Sequence, residues 1–351
     1  MNRRTLLASA SAASLAAVAL PSTATAAATA PCPTRQPHLT WTIFSRHLQW
    51  LTTQSYAAQK PYETGVLIGE AAARTGYGAV DLTVRPGGHV EPAGAATLLP
   101  AMVRGVRSAG VRCDHITTGI ADLTSDNAET VLRAAAASDI RRYRFGTFSY
   151  DTAADPAPYG AALLRQLDAL RPAVRELARR NKKLGLTAIY HTFSGTRVGS
   201  SVWDLLYLFD GIDPDQVALN FDIGHLTADG AAGSWQIALR RAMPSLRGAG
   251  LKDVLIERSS AGRVSTVWSQ AGTGLVQWQT FFGLLLEGGY AGPVEAQFEY
   301  AYNGVSLNQT WWADSPSFTL TPDQMLSVMT AELRTYKEQA ALAGWTAAQQ
   351  T

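Results

Sequence analysis

The sequence predicts a single (β/α)8 barrel of the TIM type, an α/β fold, behind an N-terminal export leader. Three observations carry that reading. Eight short β-like runs alternate with helix-like runs over about 310 residues, which implies parallel strands joined by crossover helices. Polar residues of one parity gather at the downstream ends of several runs. No domain-scale linker interrupts the pattern, so residues 31–351 are read as one domain.

The leader comes first. "MNRRTLLASASAASLAAVALPSTATAAATA", residues 1–30, has a basic start, an apolar middle and small residues at its end. Arg3-Arg4 before "TLL" resembles a twin-arginine signal, so the protein is expected to be exported, periplasmic or secreted. The rival reading is a membrane anchor. The apolar stretch is short, Ala-rich and broken by Ser, which favours cleavage and no membrane association afterwards.

Composition bounds the partners. With 46% hydrophobic and 17% charged residues, the chain suits a globular core rather than disorder. The full chain has 30 basic and 28 acidic residues. Without the leader's two arginines, 28 of each remain. No basic stripe interleaves with aromatics, so nucleic acid is not expected as a partner. The two cysteines, Cys32 and Cys113, are read as idle thiols, since no Cys-based zinc spacing exists.

The β-like runs are "TWTIFSRHL", "GAVDLTV", "VRCDHITTG", "RRYRFGTFSY", "LGLTAIYHT", "VALNFDIGH", "GAGLKDVLI" and "GPVEAQFEY". The helix after the fourth run shows Leu163, Leu167, Leu170, Val174 and Leu177 at steps of three and four. Pro172 is expected to split or kink it, and Gly185 to end it in a left-handed conformation. Thr321 before Pro322 reads as the N-cap of the last helix. A doubly wound open sheet is the rival architecture. It would more often carry a glycine-rich phosphate turn after its first strand, and "GxGxxG" does not occur there.

In a barrel, one parity of each strand faces the axis and the more apolar parity faces the helices. In the second run this turns Asp81, Thr83 and Arg85 inward. In the fifth it turns Thr187, Ile189 and His191 inward, and in the sixth Asn220, Asp222 and Gly224. In the eighth it turns Glu295, Gln297 and Glu299 inward; the seventh run allows either phase, one of which turns Gly250 and Lys252 inward. Asp222, Glu299 and His191, joined in that phase by Lys252, therefore converge near C-terminal strand ends, where such barrels keep their active sites. His225 joins them, and His89 stands in a Gly-Pro loop after the second run, a position that suits a binding residue. Against this stands the plainer possibility that a lone buried Asp or His is a hydrogen-bonded structural residue. His115 is read that way, and His47 stands between the two readings.

At this point "NFDIGH", "LKDV", "YHTFSG" with "VWDLL", and the stretch from "GTGLVQW" through "VEAQFEY" resemble the sugar phosphate isomerase/epimerase family of xylose isomerase-like barrels, which also includes nucleases of apurinic sites. The resemblance implies an isomerase or epimerase that moves a proton on a ketose or related sugar through an enediolate. It further implies one divalent metal (Mn, Mg, Co or Zn) held by four strand-end ligands, usually Glu, Asp, His and Glu. Asp222 and Glu299 match the second and fourth of these, and His191 stands at the first. The third falls on Gly250, which has no side chain to offer. Two explanations compete. Either His191, Asp222, Glu299 and His225 hold a metal, or Lys252 supplies the positive charge between the carboxylates. On this reading Glu299 and His191 are the catalytic pair, and Arg85, His89, Asn220 and Lys252 bind the sugar. The alternatives are a non-catalytic carbohydrate-binding barrel and a glycoside hydrolase using Glu299 with Asp222 or Glu295.

Overall fold

The computed structural model describes residues 36–151, 159–230, 233–307 and 312–351. The expected leader, Cys32 and Trp311 lie outside the described residues. Ten strands frame the site: β1 His38–Phe44, β2 Ala79–Val84, β3 Arg112–Thr118, β4 Arg142–Arg144, β5 Thr187–His191, β6 Val217–Asp222, β7 Leu246–Leu251, β8 Asp253–Arg258, β9 Val264–Ser269 and β10 Ala291–Ala296. Eight of them close a barrel in the order β1-β10-β7-β6-β5-β4-β3-β2, and every pairing around it is parallel. The open-sheet rival is excluded. Closure comes from β1, which pairs with β2 on one side and with β10 on the other, Trp41 opposite Val294.

The strand parities agree with the sequence reading. Val80, Leu82, Val294 and Ala296 sit in the shell between strands and helices. Asp81, Asp222 and Glu295 are buried on the axis side, where Asp222 lies opposite Gly250 and Glu295 also pairs with Gly250. Burying apolar side chains on the helix side is the dominant favourable term here, roughly 25 cal/mol per Å2.

Several boundaries differ from expectation, each for a local reason. The first run stops at Phe44, and Ser45–Leu51 forms a 3-10 helix. The sixth run stops at Asp222, and Ile223–Gly230 is a helix. Asp222 Oδ1 accepts the N–H of His225 at 2.9 Å, so the strand's last residue also caps that helix. The seventh run is two elements: β7 ends at Leu251, and β8 leaves the barrel to pair antiparallel with β9. Asp253 fixes this exit by accepting from the backbone of Val254, Gly272, Gly274 and Val276 and from Trp278 Nε1.

The helix Tyr159–Leu184 runs through Pro172 without splitting. One proline removes a single backbone bond, and the flanking turns stay packed through Leu167, Val174 and Leu177. Gly185 follows in the left-handed region, φ 67°. Thr321 and Gln324 form a reciprocal capping box at the start of Pro322–Leu342. Among the described residues no helix is long and apolar enough to cross a membrane. Cys113 is a buried free thiol, pushed up to about 12 by burial, which suits the idle role.

Candidate active site at the barrel mouth

A cavity of about 390 Å3 opens at the C-terminal ends of the strands. The groups of most chemical interest in its lining are His191, His225, Lys252, Gln297 and Glu299. A wider depression of about 500 Å3 lies at the opposite end, lined by groups such as Arg141, Lys182 and Asp215. Chemistry in barrels of this kind belongs to the C-terminal face, so the mouth is the candidate.

Lys252 is its centre. The side chain is 2% exposed, and its Nζ lies 3.2 Å from Asp222 Oδ2 and 3.1 Å from Glu299 Oε1. It also lies 2.9 Å from His225 Nε2 and 3.3 Å from Gln297 Oε1. Trp268, carried in by β9, puts its ring face 4.6 Å from the same nitrogen. Two carboxylates, an imidazole nitrogen, an amide oxygen and an aromatic face are all acceptors of positive charge. They make a cage for an ammonium.

The neighbours are held in matching states. His225 Nδ1 meets Ser194 Oγ at 2.9 Å, so Nδ1–H donates to the hydroxyl while Nε2 accepts from Lys252. Burial first, and then the charge of Lys252, keep His225 well below the usual imidazole range. His191 Nε2 lies 3.0 Å from Asp222 Oδ2, and its Nδ1 lies 3.2 Å from Asn220 Nδ2. Burial, with Arg144 nearby, lowers His191 too. Burial alone would raise Asp222, but Lys252, His225 and His191 overturn that and hold it far below the carboxylate range. Asp222 is therefore a fixed anion beneath the lysine.

Beneath the mouth, Asp81, His115 and Glu295 form a second buried trio. Thr117 Oγ1 donates to Asp81 Oδ2 and Gln297 Nε2 to Glu295 Oε1. Burial and the adjacent Glu295 charge push Asp81 well up, while Glu295 is lowered by its bond to Asp81 against the effect of burial. The two carboxyls are thus driven in opposite directions, as expected for neighbouring buried acids.

The site residues expected from sequence divide into two groups. Arg85, His191, His225, Lys252 and Glu299 line the cavity. Asp222 and Asn220 lie just under it, and Asn220 serves to orient His191 rather than to reach a ligand. His191 itself is engaged at both ring nitrogens, which removes it as a free acid or base. His89 is buried and outside the lining, with Nδ1 near Thr83 and Ser45 and with Trp312 packed edge-on at 5.3 Å. His47 is structural: its Nε2 accepts the N–H of Phe298. Sequence reasoning missed Arg46, Arg144, Arg197 and Trp268. Arg144 ends a three-residue strand, too short for a parity argument, and Trp268 stands on a hairpin with no counterpart in the β/α alternation.

The fit to a divalent metal can be tested on these distances. His191, Asp222 and His225 offer donor atoms that all lie within 4.8 Å of one another, so metal-type donors are present, and Asp222 Oδ2 has no hydrogen bond of full geometry. Yet Lys252 Nζ stands against two of the three donors. A divalent ion there would face a protonated amine at contact distance, and Lys252 would have to leave. Nor does Gly250 have room for a ligand: a Cβ built on it would lie 2.8 Å from Asp222 Oδ2 and 3.1 Å from Asp222 Cβ. With Lys252 in place the set does not fit a resident divalent metal.

Comparison with known proteins agrees with the architecture. A D-allulose 3-epimerase from Methylomonas sp., solved with D-allulose, superposes with a TM-score of 0.57 at 16% identity, covering 86% of this chain and 98% of that one. A D-psicose 3-epimerase from Clostridium cellulolyticum H10, solved with D-tagatose, gives 0.59 at 12% identity over 86% and 99%. A xylose isomerase-like protein from Mycobacterium smegmatis, solved with magnesium, gives 0.55 at 17% identity over 85% and 98%. At such identities the likeness concerns the fold. No curated protein sequence matches the chain. The family model for the xylose isomerase-like TIM barrel matches residues 70–320, from the helix before β2 to beyond β10. The chain belongs to the xylose isomerase-like TIM barrel family.

Proposed function

We propose that the protein is a sugar isomerase of the enediolate type in which the Lys252 ammonium takes the electrostatic role of a metal. The observation that carries this reading is the position of Lys252 Nζ between Asp222 and Glu299 at the floor of the cavity. A sugar carbonyl placed against Nζ has its oxygen polarised by a fixed positive charge. Glu299, 3.1 Å from that nitrogen, takes the proton from the adjacent carbon. The C–H electron pair becomes the C=C bond of the enediol, and the carbonyl pair moves to oxygen beside Lys252. Return of the proton to the neighbouring carbon, with the hydroxyl proton passing between the two oxygens, transposes the carbonyl.

Among the described residues Glu299 is the one carboxylate that lines the cavity. A single base returns the proton to the face it came from, which favours transposition over stereochemical inversion, since inversion needs a second group on the opposite face. The same observation speaks against a glycoside hydrolase, which needs two carboxylates flanking the bond. Export by the twin-arginine route is part of the proposal and rests on Arg3-Arg4 and the residues after them.

The test is solvent exchange. Incubation in D2O with a panel of ketoses and oxidised sugars should place deuterium on carbon, and Glu299→Gln should lower the rate by about 10^2–10^4 while leaving the fold intact. No deuterium and no turnover across the panel leaves a binding-only barrel as the better account.

A further inference from the structure

The cavity wall carries a charge that a neutral sugar does not explain. Besides Lys252 it is lined by Arg46, Arg85, Arg144 and Arg197, and by the carboxylate of Glu299. The layer beneath holds the buried Asp222, Asp81 and Glu295 side chains. Among the described residues, five cationic side chains and one carboxylate line the cavity.

Their placement is one-sided. Arg46 follows β1, Arg85 follows β2, Arg144 ends β4 and Arg197 lies in the loop after β5. Lys252 follows β7, and Glu299 lies in the loop after β10. Two of the guanidiniums share one ring: Arg85 Cζ lies 5.8 Å and Arg144 Cζ 5.1 Å from the Phe44 centroid. Arg197 lies over Phe193 at 4.6 Å. Arg144 meets Glu295 Oε1 at 4.0 Å. Burial, then Arg144 and Arg46, push Arg85 down to about 10, and Arg46 is lowered by burial and by Arg144 against the pull of Glu299. Crowded cations on a half-buried wall repel one another, and an anion between them relieves that repulsion.

We infer that the substrate is an anionic sugar, one carrying a carboxylate or phosphate that docks among Arg46, Arg85, Arg144 and Arg197 while its carbonyl end reaches Lys252 and Glu299. The inference rests on the reaction proposed above and narrows its substrate class. Guanidinium forks match planar carboxylates and phosphate oxygens alike, so the experiment must separate the two sources. A cavity of about 390 Å3 suits one small sugar acid or sugar phosphate rather than a polymer.

The test is a binding series read by tryptophan fluorescence, since Trp268 lines the cavity. The probes are D-fructose, D-fructose 6-phosphate, D-glucuronate and inorganic phosphate. At least one anionic sugar should bind about tenfold or more tightly than D-fructose, and should weaken several-fold when salt rises from about 0.02 to 0.3 M. The probe that gains, 6-phosphate or uronate, identifies the anionic group; tight phosphate with weak fructose 6-phosphate would also refute the docking geometry. Arg85→Gln and Arg197→Gln should each weaken the anionic sugar by about fivefold or more, and by a clearly larger factor than they weaken D-fructose. The inference is overturned if D-fructose binds as well as both anionic sugars, if no anionic sugar binds at about 10 mM, or if both variants weaken neutral and anionic ligands alike. Deuterium exchange separates it from the reaction: tight anion binding without exchange removes the chemistry alone, and exchange on D-fructose with no anion preference removes this inference alone.

Discussion

Lys252→Met gives the sharpest perturbation of the site. Methionine keeps the length of the side chain and removes the charge. Asp222 is 0% exposed and loses its strongest stabilising partner, 3.2 Å away. Glu299 is 20% exposed and recovers part of its loss from solvent. Breaking a buried pair by deleting one partner costs about 3–5 kcal/mol because the other charge is stranded, and Asp222 should account for most of it. The sign with pH follows. In the native protein Asp222 is depressed, so its contribution is present above the ordinary carboxylate range and is lost as pH falls. In the variant, burial dominates and Asp222 is pushed up, so the loss is largest near neutral pH and shrinks toward acid. Urea unfolding of both proteins at two pH values, near 8 and near 5, reads this directly. The double variant Lys252→Met/Asp222→Asn removes the stranded charge and should recover half or more of the stability with none of the activity. A single-variant loss below about 1 kcal/mol, or a double variant less stable than the single, would refute the reading of Lys252 as the cation that holds Asp222.

Three further outcomes follow from the same structure. Gly250→His, which restores the ligand type common in the family, should destabilise the protein by about 2 kcal/mol or more and bind no metal, because Asp222 occupies that space; calorimetry and elemental analysis check both halves. Burial holds His47 and His89 down to about 3 and His115 to about 4, and lowers His191 and His225 as well. The unfolded chain gains protons below about 6.5 that the native protein refuses, so stability should be full above that pH and fall by about 1.4 kcal/mol per histidine per pH unit below it, measured as a steep loss of urea midpoint. Glu332, which accepts the N–H of Ala271, is raised by burial to about 7, so its contribution falls as pH climbs from the ordinary carboxylate range to 7. Glu332→Gln should remove that fall and be the more stable protein at pH 8 by up to about 3 kcal/mol, and equal stability there would contradict it.

The barrel was legible because its signal is repetitive. Each strand is apolar toward the helices, so Asp81, His191, Asp222 and Glu295 could be turned inward from alternation alone. The elements that depart from β/α alternation were not legible. "GAGLKDVLI" reads as one continuous strand, and only Asp253's tertiary bonds to the segment 272–278 reveal that β8 leaves the barrel. "NFDIGH" gives no sign of where strand becomes helix, since Asp222 can end one or cap the other and does both. Gly250 could be flagged as a departure from the family, but its cause, the Asp222 carboxylate lying against it, is a contact between strands. The arginine wall escaped for a similar reason: Arg46 was read as strand, and Arg144 and Arg197 become neighbours only when the mouth closes.

The proposed reaction needs no cation beyond the Lys252 side chain. It is tested by deuterium incorporation into a sugar by protein stripped with chelator, with its metal content measured in the same sample. Exchange at an unchanged rate with less than about a tenth of an equivalent of metal, abolished in Lys252→Met, is the result predicted here. Exchange that disappears on stripping and returns with a divalent ion, in stoichiometric amount and with Lys252 intact, would contradict it.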